Sequence, residues 1–138
     1  MFLLDTNVIS ELRRPRPHGA VLAWISSHSA DQLFVSAVTA GEIQSGIVAT
    51  RARDPHKARE IEDWLGRALE NFTFLPMHVR EFRRWATLMA GRPHALAQDG
   101  MIAATALESG LVVATRDLSD FIPFNVATFN PFEDDRGR

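Results

Sequence analysis

The chain has 138 residues, room for one domain and little for a second. It is 46% hydrophobic and 23% charged, ordinary for a chain with a buried core, and its lack of cysteine excludes disulfides and thiolate metal sites. The formal net charge of −2 gives no global basic signature. No apolar run approaches the roughly 20 residues that span a bilayer, and no basic stretch opens a signal peptide. A cytoplasmic protein without membrane contact is expected.

Phe2 to Leu4 reads as a first buried strand that runs straight into an acid, Asp5. Asn7 to Leu12 follows as a short helix, stopped by RRPRP at 13–17. Gly19 to Ser27 is helical, with Val21, Leu22 and Ile25 on one face. Leu33 to Val35 is a second strand, and a helix starting at Ser36 or Thr39 runs to about Thr50. Pro55 to Leu69 is another helix, with Ile61, Leu65, Ala68 and Leu69 apolar. Phe72 to Leu75 is a third strand, ended by Pro76, and Val79 to Met89 is helical. A loop spans 91–97, Asp99 to Glu108 is a helix closed by Gly110, and Leu111 to Thr115 is a fourth strand. Val126 to Phe129 is a fifth, and about 133–138 forms a frayed tail.

Strands alternating with helices predict an α/β fold with a mainly parallel sheet. The strands are short and lack polar alternation, as expected where helices cover both faces. Stretches holding two helices between strands leave the strand order open.

Four acids then draw notice. Asp5 and Asp117 directly follow strands one and four, and Glu42 lies just beyond strand two. Ligands of open α/β sheets bind outside these carboxyl ends. Asp99 shares a helix face with the apolar Ile102, Ala103 and Ala106, so it points toward the sheet. Two unit charges at about 4 Å repel by about 4 kcal/mol even at an effective dielectric near 20. A hard divalent cation removes that penalty, and an oxygen-only ligand set suits Mg²⁺ or Mn²⁺ rather than Zn²⁺. Such a site activates water and stabilises charge on a phosphoryl group.

Each acid also has a plainer role. Asp5 caps a helix starting near Thr6. Glu42 closes a capping-box pattern, Thr39-Ala40-Gly41-Glu42. Asp99 is an N-cap, and Asp117 belongs to a surface turn in which Asp120 is a rival acid. The histidines show no metal-ligand spacing, Ser36 and Ser45 have no base partner, and no Gly-rich phosphate loop is present. Phe72, Phe74 and Trp85 are assigned to the core. Arg13, Arg14, Arg16, Arg51, Arg53 and Arg92 suit either a nucleic-acid backbone or a plain solvated face.

LLDTNVISEL, SAVTAGEIQSGI, DGMIAATALESGLVVATRDLSDF and VATFNPFED, in that order over nearly the whole chain, resemble PIN-domain proteins of the VapC/FitB type. These are the toxins of bacterial type II toxin–antitoxin systems. The resemblance implies a three-layer α/β/α fold around about five short strands. It implies a Mg²⁺-dependent endoribonuclease held inactive by a cognate antitoxin, typically a homodimer, within larger complexes when antitoxin is bound. Asp5, Glu42, Asp99 and Asp117 match the four catalytic, metal-holding acids, and Thr6, Asn7 and Thr115 the polar residues that support them. Many such proteins carry Asn at the position of Asp117, which makes Asp120 an alternative fourth acid. The implied reaction is in-line attack of activated water on an RNA phosphodiester.

Three rivals remain. An aspartate-nucleophile phosphatase would place an acid where Asn7 stands. A signalling receiver would carry paired early acids and a late strand-end lysine, but the single lysine is Lys57. A catalytically silent nucleic-acid-binding module would not need all four acids.

Overall fold

The computed structural model describes residues 1–133. In chain order the regular elements are β1 (Phe2–Leu4), α1 (Thr6–Glu11), α2 (Gly19–Ser26), β2 (Leu33–Ser36), α3 (Ala37–Arg51) and α4 (Pro55–Asn71). They continue with β3 (Thr73–Leu75), α5 (Val79–Leu88), α6 (Ala97–Ser109), β4 (Val112–Ala114) and β5 (Thr128–Phe129).

The strands form one sheet in the order β3-β2-β1-β4-β5, with every neighbouring pair parallel. Leu4, the last residue of β1, pairs with Val35 on one side and Ala114 on the other. The chain leaves β1 toward β2, then crosses back to lay β4 on the opposite side. The switch in strand order therefore falls between β1 and β4, where parallel sheets open a crevice at their carboxyl edge.

Successive residues of a strand face opposite ways, and β1 shows it. Leu4 joins Val8, Ile9, Val21, Trp24, Ile43 and Ile47 in the core beneath α1, α2, α3 and α4. Leu3 joins Ile102, Ala103, Ala106, Val113, Phe121 and Phe124 in the core on the other face. Two cores around one sheet make the three-layer α/β/α arrangement. They also explain why β1 is apolar on both sides: helices cover each of its faces.

The stripe of Ile102, Ala103 and Ala106 is fully packed. Gly100 on the same helix lets α5 come close, since a Cβ there would lie 2.8 Å from Met89 Sδ. This approach fixes the first turn of α6, which carries Asp99.

Several local expectations change. The inward face of α2 is Val21 and Trp24, while Leu22 is 39% exposed. Val21 and Trp24, three positions apart, share the face turned to the sheet, and Leu22 lies off it. Helix α3 starts at Ala37, and the Ser36 side chain caps it by accepting from the Val38 N–H. Thr39 is therefore inside the helix and not its cap. Helix α6 starts at Ala97, so Asp99 is a first-turn residue and Leu96 occupies the cap position. The 91–97 loop holds a 3-10 turn at His94–Leu96, and a longer one at Leu118–Phe124 follows β4. Phe121 and Phe124 anchor the latter in the second core. Glu133, the first residue of the expected tail, closes a 3-10 turn at Pro131–Glu133, and 134–138 lie outside the described residues. Among the described residues no helix is long and apolar enough to cross a membrane.

Candidate active site

Asp5 follows β1 and stays in the ladder, its N–H donating to Ala114 O at 2.9 Å. It is 7% exposed. Oδ1 accepts from the Thr6 N–H at 2.8 Å, so Asp5 does cap α1. Oδ2 accepts from the Thr115 hydroxyl at 2.8 Å and from Asn7 Nδ2 at 3.3 Å. The cap and the acid cluster are thus one arrangement: a single carboxylate held from both sides. Burial nevertheless pushes its pKa up against these bonds, and the charges of Asp117 and Asp120 add to the rise.

Thr115 directly follows β4 and is fully buried. Its hydroxyl donates to Asp5 and accepts from Asn7 Nδ2 at 3.2 Å and from the Asp117 N–H at 3.0 Å. One donor and two acceptor positions are all a hydroxyl has, so this group is saturated. Asn7 Nδ2 also donates to Asp117 Oδ2 at 3.2 Å, and its Oδ1 accepts from the Arg116 N–H at 3.1 Å. The first helix and the loop after β4 are therefore stitched together around Asp5.

Glu42 approaches from α3. The Thr6 hydroxyl donates to Glu42 Oε2 at 3.1 Å and sits 3.3 Å from the Thr39 hydroxyl. The capping-box role expected for Glu42 is not realised, because Ser36 caps the helix and leaves the Glu42 side chain free to turn to Thr6. Burial raises its pKa, opposed by the Thr6 bond and reinforced by Asp5. Thr39 is a supporting residue that sequence reading assigned to a cap. Its spacing of three from Glu42 put both on one helix face, which was the available signal.

Asp99 faces the other acids from the first turn of α6. Burial first, then the charges of Asp5, Asp120, Glu42 and Asp117, push its carboxyl up to about 6. Asp117 and Asp120 are both exposed at the rim, flanking the start of the 3-10 turn after β4. For Asp99 the charge of Asp120 outweighs that of Asp117.

Among the described residues none of these five acids is ion-paired, and five carboxylates face one crevice. Nor do any three of them stand close enough to make a ready-made metal cage. An all-oxygen set spread around an open space fits a hard cation that keeps part of its own hydration, as Mg²⁺ does. It does not fit an ion needing close tetrahedral side-chain ligation. Arg116 also borders the site, its guanidinium 3.6 Å from the centre of the Phe132 ring. Arg116 and Phe132 stand in different motifs, and only the packing of the segment after β5 against the loop after β4 brings them together.

The chain matches the model of the PIN domain over residues 2–122. It is 40% identical over 140 residues to VapC ribonuclease Y4jK of Sinorhizobium fredii, across 96% of this chain and 99% of that protein. It is 37% identical over 141 residues to toxin FitB of Neisseria gonorrhoeae, across 97% of this chain and 100% of that one. The crystal structure of FitAcB from Neisseria gonorrhoeae superposes with a TM-score of 0.84 at 36% identity, covering 97% of this chain and 100% of that one. With the parallel sheet, the acids at its carboxyl edge and these near full-length likenesses, the chain belongs to the PIN domain family, among relatives of the VapC and FitB type.

Proposed function

We propose that the chain is a divalent-cation-dependent endoribonuclease, the toxin of a type II toxin–antitoxin pair. The observation that carries the reading is the gathering of Asp5, Glu42, Asp99, Asp117 and Asp120 at one sheet edge with no cation paired to them among the described residues; burial, and then the charges of the other four, push Asp99 up to about 6. Asp5 and Asp99 are the principal holders of Mg²⁺ (or Mn²⁺), with Glu42 and one of Asp117 and Asp120 completing the set. The bound ion supplies neutralisation of phosphoryl charge and a more acidic water.

The side chains do the rest. Thr115 and Asn7 keep the Asp5 carboxylate in one orientation. The Thr6 hydroxyl holds one oxygen of Glu42. The raised pKa of Glu42 suits it to take a proton from the water that attacks the RNA phosphodiester. Likeness to FitB and to the FitAcB structure supports a cognate antitoxin as partner. We assign the chain to the cytoplasm as a homodimer that joins larger complexes with that antitoxin.

The test uses protein freed of antitoxin. RNA cleavage should appear with Mg²⁺, vanish with EDTA, and fall by orders of magnitude in Asp5→Asn and Asp99→Asn. Undiminished cleavage in both variants would overturn the site.

A further inference from the structure

Away from the acids, the arginines after α1 meet the far face of α4. Arg13, Arg14 and Pro15 form one wall of a groove of about 390 Å³, and Lys57, Glu60, Ile61, Trp64 and Arg67 form the other. The α4 residues fall at spacings that share one helix face. Four of these side chains are cationic in a chain whose formal net charge is −2. Arg13, Lys57 and Arg67 make no ion pair among the described residues. Glu60 faces His56 at 3.1 Å, and Arg14 is 3.6 Å from Glu11. Trp64 is half-buried against the first core, which holds its indole in the groove wall.

Cations that follow a backbone, together with a fixed aromatic face, are the features by which proteins hold single-stranded nucleic acid. We infer that this groove binds the single-stranded RNA flanking the cleaved bond, with Arg13, Lys57 and Arg67 on phosphates and Trp64 stacked on a base. The inference rests on the ribonuclease reading and adds a second contact region to it. The six residues of helix α1 place at least about 9 Å of chain rise between Asp5 and the groove, so a strand held there would extend beyond the reacting phosphate. An acidic peptide would satisfy the cations equally well but has no base to stack on Trp64.

The experiment measures binding of a fluorescein-labelled oligouridylate to the full chain in EDTA, so that cleavage plays no part. Polyglutamate serves as the competing probe. Binding should weaken with salt, and Lys57→Gln and Arg67→Gln should each flatten the log–log salt slope by about 0.7. RNA should quench tryptophan emission, and Trp64→Leu should abolish the quench and weaken binding about tenfold. Should Trp64→Leu fold poorly, the two exposed Gln variants decide alone. Unchanged salt slopes in both Gln variants overturn the inference, as does tighter binding of polyglutamate than of RNA. Groove binding without Mg²⁺-dependent cleavage would instead remove the ribonuclease reading, and cleavage without groove binding would remove only the groove.

Discussion

The Thr115 hydroxyl donates to Asp5 Oδ2 over 2.8 Å, joining residues 110 positions apart at the ends of adjacent strands. Thr115→Val keeps the shape and removes the donor. It leaves a buried carboxylate short of one bond, at a cost of roughly 1.5–3 kcal/mol, read by urea denaturation of the metal-free protein. Freed from its hold, Asp5 should also lower RNA cleavage on the order of 10- to 100-fold. Thr115→Ser retains the hydroxyl and should stay near wild type in both assays. Equal behaviour of the Val and Ser variants would show that the bond does not orient Asp5.

Asp99 sets a pH dependence. Its carboxyl stands at about 6 in the folded chain against an ordinary 3.8, so the native state binds the proton more tightly than the unfolded chain. The stabilisation this gives is complete below the unfolded value and is lost as pH rises through about 6. Asp5 and Glu42 are raised in the same direction. Mg²⁺ favours the ionised acids, so it should raise the Tm more at about pH 7.5 than at about pH 5. Asp99→Asn should stabilise the metal-free protein at the higher pH and blunt the Mg²⁺ effect. An equal Mg²⁺ shift at both pH values would contradict this account.

Asp117 and Asp120 should separate under the same titration. Asn7 Nδ2 holds Asp117 Oδ2 at 3.2 Å, while Asp120 acts on Asp99 more strongly than Asp117 does. Asp120→Asn is therefore expected to lower the Asp99 pKa further than Asp117→Asn, as followed by carboxyl carbon NMR. It should cost at least as much cleavage activity. The opposite order would make Asp117 the fourth acid.

Gly110 tests the scaffold alone. It ends α6 at φ +65°, a left-handed conformation, and nothing crowds its missing Cβ. Gly110→Ala should cost about 1 kcal/mol by backbone strain only. Mg²⁺ affinity should be unchanged, since Asp99 lies at the other end of the helix. A change in metal affinity by calorimetry would tie the helix end to the site.

Much of this protein is legible along the chain. Apolar runs too short to be helices, each passing into a polar turn and then a helical period, establish the α/β class and the parallel sheet. The same punctuation puts Asp5 and Asp117 beyond their strands, and the alanine stripe of α6 aims Asp99 inward. These are local properties: periodicity reports which way a side chain faces its own element.

What lies across from that face is set by packing between distant segments. Only the sheet order brings β4 beside β1, and with it Thr115 to Asp5. Only the start of α3 at Ala37 turns Glu42 from a cap into the partner of Thr6. Only packing against β1 decides that α2 turns Val21 and Trp24 inward and leaves Leu22 outside the core. The groove between the arginines after α1 and Lys57 and Arg67 of α4 likewise exists only once the helical layer has formed. Burial of apolar surface selects one three-dimensional arrangement of these segments, and the polar partners follow from it.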